Sequence, residues 1–252
     1  WLVWTPGRSA YLLHDGTGER EPLDVRGIAS VQPGGRWGLL VEPLGDEQGF
    51  RRVLVNLQDR AQRIDLGVDL TYYDDSAWSP DGSRLAFAAP TYNGDDETLI
   101  GSELYLVAPG DLAPVQVTRL IDVYGEARIN GLAASALSWS PDGARLAFWV
   151  IDMAGTDPVA DGLGSELHIL DVNTRAVTKY CRSEIDAFTP NPPRLAWSPD
   201  GTQIAYGTDL TDDDKPALLL ALDTESGIVT ILSEGLYPVL GSPDVAAWGV
   251  PP

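Results

Sequence analysis

The sequence predicts an all-β fold, a β-propeller of four-stranded blades, because a turn motif recurs along the chain with the same strand pattern around it. The composition suits this class, since 26 Gly and 19 Pro in 252 residues make a chain rich in turns. With 44% apolar residues, the chain also has enough material for a core. All-β folds of this length often form one domain, so residues 1–252 are expected to be a single propeller domain.

The repeated motif is Trp-Ser-Pro-Asp-Gly, which occurs three times and each time precedes an apolar run (Leu-Ala-Phe twice, Ile-Ala-Tyr once). Proline presets the first corner of a turn, aspartate bonds back to turn amides, and glycine supplies a positive φ. Each copy is therefore predicted to be a hairpin turn, with the Trp ending the first strand. The residues with this structural role are Trp78, Pro80, Asp81 and Gly82; Trp139, Pro141, Asp142 and Gly143; and Trp197, Pro199, Asp200 and Gly201.

The spacing of the motif matches the length of a blade. With decayed copies around Pro33 and Pro243 included, the successive prolines are separated by 47, 61, 58 and 44 residues. Propeller blades run roughly 40–45 residues, so two intervals fit one blade and two carry insertions. Within one interval the apolar runs predict four strands, at residues 85–89, 104–108, 115–119 and 136–139.

The signature Trp-Ser-Pro-Asp-Gly-x-x-Leu-Ala-Phe resembles the β-propeller repeat of the periplasmic TolB family, which is also found in the propellers of prolyl oligopeptidase-type peptidases. The resemblance covers residues from about 30 to 250. It implies the fold, and a periplasmic or extracellular location. It leaves the activity open, because one propeller architecture carries unrelated functions.

Five blades are predicted, with six as the alternative because TolB itself is six-bladed. Only 29 residues separate Trp4 from Pro33, which is too few for a further whole blade. The ring is therefore expected to close by pairing of the two termini. In that shared blade the inner strands would come from residues 236–250 and the outer strands from residues 10–25.

The charge balance restricts the partners. The chain has 37 acids against 17 bases, a net charge of −20. Phosphate backbones are bound by Lys and Arg clusters, so a nucleic-acid partner is excluded, and an anionic membrane surface is disfavoured for the same reason. The chain also lacks an apolar run of the roughly 18 residues that a membrane helix needs. A protein partner, in particular a basic one, remains.

Catalytic residues are not predicted. His14 and His168 are the only histidines, and both are expected in or at the end of a strand. A Ser-His-Asp site needs a histidine beside an activated serine, and the chain has no Gly-x-Ser-x-Gly motif, the usual nucleophile elbow. The sequence therefore favours a binding protein over an enzyme.

Acids concentrate in the four loops that are predicted to join the second and third strands of each blade, on one face of the propeller. These loops hold 15 of the 37 acids: Glu42, Asp46, Glu47, Asp95, Asp96, Glu97, Glu103, Asp152, Asp157, Asp161, Glu166, Asp209, Asp212, Asp213 and Asp214. Loops between blades are predicted to bring aromatic residues to the same face: Tyr72, Tyr73, Tyr124, Phe188 and Tyr237. Aromatic residues near a concave mouth are typical of binding surfaces.

The sequence thus predicts a non-catalytic scaffold that binds a protein or another ligand through this acidic loop face, without a cofactor. A calcium ion is the alternative occupant, because calcium prefers oxygen-rich sites such as Asp95, Asp96 and Glu97, or Asp209, Asp212 and Asp214. Three other interpretations stay open. The acids could serve solubility alone, the chain could be a glycan-active or peptidase-associated propeller, or it could be the ectodomain of a membrane sensor.

Overall fold

A computed structural model describes residues 2–3, 10–14, 16–23, 27–45, 49–69, 76–92, 99–125, 127–129, 137–152, 165–180, 193–207, 217–236, 245 and 247–249. These ranges contain twenty strands and one helix of five residues. Every pairing between described strands is antiparallel. The predicted all-β class is therefore confirmed.

Four successive sheets follow the motif. Sheet I contains β4 (Ile28–Val31), β5 (Trp37–Pro43), β6 (Phe50–Asn56) and β7 (Arg63–Asp69). Sheet II contains β8 (Ser76–Trp78), β9 (Leu85–Tyr92), β10 (Leu99–Val107) and β11 (Val115–Gln116). Sheet III contains β12 (Ala127–Ile129), β13 (Ser138–Trp139), β14 (Arg145–Asp152), β15 (Ser165–Asp171) and β16 (Val177–Tyr180). Sheet IV contains β17 (Ala196–Trp197), β18 (Gln203–Gly207), β19 (Ala217–Asp223) and β20 (Val229–Leu236).

The N-terminal sheet has three strands, β1 (Leu2–Val3), β2 (Ala10–Leu13) and β3 (Arg20–Leu23). The sequence predicted that strands from residues 10–25 would pair with strands from residues 236–250. Among the described residues no strand joins the two termini, and residues 245 and 247–249 belong to no strand. The described sheets therefore match propeller blades, and the described residues do not show the predicted closure of the ring.

The repeated turn is built from side-chain bonds as well as from its backbone. In the first copy, Asp81 Oδ1 accepts hydrogen bonds from Ser79 Oγ at 2.6 Å and from the amide of Ser83 at 2.9 Å. Ser79 Oγ in turn accepts the amide of Arg84 at 3.0 Å. Gly82 has a φ of 70°, which suits the left-handed region that only glycine adopts without strain. The same bonds recur around Asp142 and Asp200.

The core lies between neighbouring sheets, because the strands are buried on both faces. Along β14, Leu146, Phe148 and Val150 pack toward sheet II, whereas Ala147 and Trp149 pack toward sheet IV. This alternation follows from the two-residue period of a strand. A third cluster joins sheet I to sheet II around Leu39, Leu54, Leu85 and Phe87. The sheets thus stack face to face in chain order, which is the arrangement of propeller blades.

The repeated turns of successive sheets lie along one edge, which we call the turn edge. Gln32 Nε2 of sheet I donates to the carbonyl of Gly82 at 2.6 Å, and Arg145 Nη2 of sheet III donates to the carbonyl of Gly201 at 2.5 Å. Successive strands of each sheet are antiparallel, so the connections between second and third strands leave from the opposite edge. We call that edge the loop edge.

The longest interval between motifs carries an added helix and a divided first strand. Strand β11 ends at Gln116, although a strand was predicted through residue 119, and helix α1 (Leu120–Tyr124) follows it. Both β12 and β13 pair with β14, as shown by the pairs Ile129–Val150 and Trp139–Leu146. The first strand of sheet III is therefore made of two pieces.

Candidate functional site

Most residues of the predicted acidic loop face lie outside the described residues. These are Asp46, Glu47, Tyr72, Tyr73, Asp95, Asp96, Glu97, Asp157, Asp161, Phe188, Asp209, Asp212, Asp213, Asp214 and Tyr237. The backbone of Asp152 is described as the end of β14. Tyr124 is described fully, at the end of α1. The described strands β5, β9, β14 and β18 all end at the loop edge.

Four of the acids assigned to loops lie in strands instead: Glu42, Glu103, Asp152 and Glu166. Three of them, Glu42, Glu103 and Glu166, have partners within the fold. Glu42 of β5 accepts a bond from Arg63 Nη2 at 2.7 Å, and Glu166 of β15 pairs with Lys179 Nζ at 2.6 Å. Glu103 of β10 is only 3% exposed. At Glu103 and Glu166 the loop prediction was wrong because β10 and β15 begin at Leu99 and Ser165, before the apolar runs that marked them in the sequence. At Glu42 and Asp152 it was wrong because β5 and β14 extend to Pro43 and Asp152.

Glu103 holds the start of helix α1. Its Oε2 accepts hydrogen bonds from Thr118 Oγ1 at 2.5 Å and from the amide of Leu120 at 2.9 Å, while its Oε1 accepts the amide of Ile121 at 2.9 Å. The first amides of a helix have no partner within the helix. A buried carboxylate from the neighbouring strand satisfies them here, so Glu103 has a structural role.

Helix α1 places Tyr124 against His168 of sheet III. The Tyr124 hydroxyl lies 2.8 Å from His168 Nε2, and His168 Nδ1 lies 2.9 Å from the carbonyl oxygen of Glu166. A carbonyl only accepts, so Nδ1 carries the proton and Nε2 accepts from the tyrosine. Burial lowers the pKa of His168 below its ordinary 6.5. The imidazole is therefore neutral at pH 7, and its ring stacks on Phe148 with centroids 5.7 Å apart.

Lys179 lies across the strand pair from His168 and completes this cluster. Its Nζ is 5.3 Å from the centroid of the Tyr124 ring, in addition to its bond with Glu166. A cation over an aromatic face is favourable by about 0.5–1 kcal/mol at exposed sites. The lysine thus joins β16 to helix α1 of the preceding sheet.

A groove of 550 Å³ opens beside this cluster, between sheets II and III. Volumes of roughly 300–1,000 Å³ are usual for ligand sites. Sheet II and helix α1 supply one wall, which includes Gln116, Thr118, Arg119, Val123 and Tyr124. Sheet III supplies the other wall, which includes His168, Arg175, Val177 and Lys179.

The described lining of this groove has a sign of charge opposite to that of the whole chain. It includes three bases, Arg119, Arg175 and Lys179, and no acid, although acids outnumber bases by 37 to 17 in the sequence. Sequence reasoning missed these residues because they are far apart in the chain. One feature of the sequence could have drawn attention to Arg175. In the matching turns 171–175 and 223–227, Arg175 occupies the position of Gly227, where glycine is the expected residue.

His168 has a structural role in the wall of the groove. His168 is bonded through both ring nitrogens, to a carbonyl and to a tyrosine hydroxyl, so no serine or cysteine is activated by it in the described part of the chain. The described residues also contain no cluster of three or more His, Cys, Asp or Glu that could hold a metal ion. The calcium positions considered in the sequence lie outside the described residues.

The described part of the chain has no helix with the length and apolar character needed to span a bilayer.

Comparison with known proteins gives structural neighbours alone, since no protein-family model and no curated protein sequence matches the chain. TolB from Acinetobacter baumannii is 18% identical, with 93% of this chain and 51% of that chain covered and a TM-score of 0.53. Hydrazine synthase from Kuenenia stuttgartiensis is 16% identical, with 89% and 59% covered and a TM-score of 0.54. The tricorn protease is 12% identical, with 96% and 26% covered and a TM-score of 0.51.

The chain therefore spans about half the length of the TolB structure that it resembles. Structural similarity at such low sequence identity supports a shared fold and gives no information about the activity of this chain. Together with the stacked four-stranded sheets, they support a TolB-like propeller fold for this chain.

Proposed function

We propose that this chain is a non-catalytic TolB-like propeller that binds a basic protein through acidic segments at its loop edge. The observation that carries the proposal is the charge, −20 overall, with acids concentrated in the segments between second and third strands. Eleven of the 15 acids first assigned there remain after Glu42, Glu103, Asp152 and Glu166 are placed in strands. The described strands that flank these segments end at one edge, which supports a common surface.

Exposed charges on one surface act mainly on the rate of association. They attract an oppositely charged partner over about 8–10 Å at physiological ionic strength, and they raise the association rate more than the final affinity. The protein would then recognise its partner by charge at a distance and by aromatic side chains at contact. A calcium ion remains the alternative occupant of the same segments.

The test uses a decalysine peptide as the basic probe, followed by stopped-flow or biosensor kinetics at several salt concentrations. We expect the variant Asp212→Asn, Asp213→Asn, Asp214→Asn to associate more slowly and with a weaker salt dependence than the unmodified protein. A matched control, Asp59→Asn, Asp111→Asn, Glu225→Gln, removes the same charge from turn-edge hairpins and is expected to change little. Equal effects of the two triple variants would contradict a local acidic surface.

Calcium is tested separately. A ligand that binds only the folded state raises the melting temperature by mass action. If calcium is the occupant, added calcium chloride raises the melting temperature of the unmodified protein, and the Asp212, Asp213, Asp214 variant loses that shift. An unchanged melting temperature, together with salt-independent binding of decalysine, would indicate that the acidic residues only keep the protein soluble.

The second candidate is the propeller portion of a larger enzyme, which is supported by the fold likeness to the tricorn protease, of which the chain spans 26%. The discriminating assay is turnover of peptides, esters and common glycans by the purified chain. We expect none. Turnover that disappears in a His168→Gln variant would replace the scaffold proposal with an enzymatic one.

The proposed architecture has five blades, with the N-terminal sheet contributing outer strands to a blade completed by the C-terminal residues. The proposed location is the periplasm or the cell exterior, on the resemblance to TolB. A crystal structure of the chain would count the blades directly, and six complete sheets would contradict the proposal.

A further inference from the structure

We propose that the groove between sheets II and III binds an extended acidic segment of another protein. In this complex carboxylates of the segment contact Arg119 and Arg175, and its apolar side chains lie against Val123 and Val177. This site is separate from the acidic surface at the loop edge and has the opposite charge. Its occupant is therefore a different ligand from the basic partner proposed above.

The first reason is the state of the two arginines. Lys179 is paired with Glu166, whereas Arg119 and Arg175 are exposed and make no ion pair or side-chain hydrogen bond with any described residue. A guanidinium presents planar donors that match a carboxylate with two parallel hydrogen bonds. In a chain with so few bases, two such arginines on facing walls of one groove favour an anionic ligand.

The second reason is the backbone at Arg175. Its φ is 61°, and no other described residue except glycine has a positive φ. The hairpin of sheet IV has the same hydrogen bonds, with the amide of Gly227 donating to Asp223 as the amide of Arg175 donates to Asp171. Gly227 has a φ of 69°. Glycine is therefore the unstrained residue at this position, and the arginine is held there at a cost in stability.

The third reason is the shape and apolar content of the groove. The side chains of Val123 and Val177 are 70% and 38% exposed, and both line it. The wall from Arg175 to Lys179 spans about 13 Å at the rise of a strand, which matches an extended segment of about four residues. Exposed valines in the same lining as the two arginines favour a peptide with both acidic and apolar side chains over a bare inorganic anion.

The experiment measures fluorescence anisotropy with a labelled hexapeptide of alternating Glu and Val, beside a matched peptide in which Gln replaces each Glu. We expect the Glu peptide to bind and the Gln peptide to bind at least about tenfold more weakly, because hydrogen bonds between charged groups are lost. We expect Arg119→Gln and Arg175→Gly each to weaken binding of the Glu peptide by about tenfold. The control Arg36→Gln, at an exposed arginine in the turn before β5, is expected to leave binding unchanged.

The variant Arg175→Gly separates loss of binding from damage to the fold, since it is expected to raise the melting temperature while it weakens binding. The triple variant of Asp212, Asp213 and Asp214 is expected to leave peptide binding unchanged, so this proposal and that of the acidic surface fail independently. Equal binding of the Glu and Gln peptides, or unchanged binding by both arginine variants, would overturn the proposal. Inorganic phosphate that binds as tightly as the Glu peptide and displaces it would overturn it in favour of a simple anion site.

Discussion

Trp139 donates its indole N–H to the backbone carbonyl of Ala77 at 2.9 Å, and so links the motif of sheet III to the first strand of sheet II. Trp197 makes the equivalent bond to Ser138 at 2.9 Å. Arginines add to these links, since Arg84 lies over the Trp139 ring and Arg145 over the Trp197 ring, at 5.9 and 4.8 Å from the ring centroids. The repeated tryptophan of the turn is thus, at Trp139 and Trp197, a connection between sheets.

Trp78 differs from these two, because sheet I carries only a decayed copy of the motif. Its indole nitrogen is buried and finds no acceptor among the described residues. The matching carbonyl would belong to Ser30, which lies beside a shift in the register between β4 and β5. A shift of this kind bends the strand and reorients its carbonyls.

The first prediction compares these tryptophans. Trp139→Phe removes the donor to Ala77 and is expected to lower the free energy of unfolding by about 1–3 kcal/mol more than Trp78→Phe does. Both substitutions remove similar volume, so their difference reports the hydrogen bond. Trp139→Ala is expected to cost about 3–5 kcal/mol, because it also leaves a cavity. Urea unfolding measures all three, and equal values for the two Phe variants would contradict the role of the bond.

The second prediction concerns acid stability and the repeated aspartates. Hydrogen bonds from the Ser79 hydroxyl and the Ser83 amide lower the pKa of Asp81 to about 2, and those from Ser198 and Thr202 lower the pKa of Asp200 to about 2. A carboxyl with a lowered pKa in the folded state stabilises the fold above its ordinary value of 3.8. That contribution is lost as the pH falls toward 2, because the unfolded state takes up the proton first.

The double variant Asp81→Asn, Asp200→Asn is therefore expected to show a smaller loss of melting temperature between pH 4 and about 2 than the unmodified protein. Above pH 5 the two proteins should differ by a constant amount. Melting temperatures recorded across this range provide the measurement. Identical curves below pH 4 would show that the turn bonds do not depend on the charge of the aspartates.

The third prediction concerns His168, the acceptor of the Tyr124 hydroxyl. Burial lowers its pKa below 6.5, so the unfolded state binds a proton at a higher pH than the folded state. Stability is then complete above about pH 6.5 and falls as the pH drops, with a slope of at most about 1.4 kcal/mol per pH unit. A His168→Gln variant is expected to lose this slope between pH 7 and 5, whereas His14→Gln, at an exposed histidine, keeps it.

The fourth prediction compares two matching hairpins. Arg175→Gly places the unstrained residue at a φ of 61° and is expected to stabilise the protein by about 0.5–1 kcal/mol. The reverse test, Gly227→Ala, introduces a side chain at a φ of 69° where the nearest atom lies 3.9 Å away. It is expected to destabilise by about 1 kcal/mol through backbone strain alone. Chemical unfolding of both variants is the measurement, and shifts of the same sign would contradict it.

The turn motif was a reliable guide in the sequence because all of its chemistry is local. Serine, aspartate and glycine make hydrogen bonds within five residues in the chain, and proline fixes the first corner of the turn. The strand ends at Trp78, Trp139 and Trp197 follow from that. Glu103 was misassigned for the opposite reason. An acidic residue before an apolar run is predicted to lie in a loop. The groups that bind Glu103 in the interior are the Thr118 hydroxyl and the first amides of α1, which lie at least 15 residues away in the chain.

The sequence by itself determined the four-stranded unit, its repetition and its acidic charge, since periodicity, turn chemistry and composition are properties of neighbouring residues or of the whole chain. Only the tertiary structure determined which residues of neighbouring sheets come into contact. Tyr124 and His168 are 44 residues apart and meet at 2.8 Å, and Arg119 and Arg175 come to one groove because sheet III stacks on sheet II. Contacts between sheets depend on that stacking, and no local pattern in the chain records it.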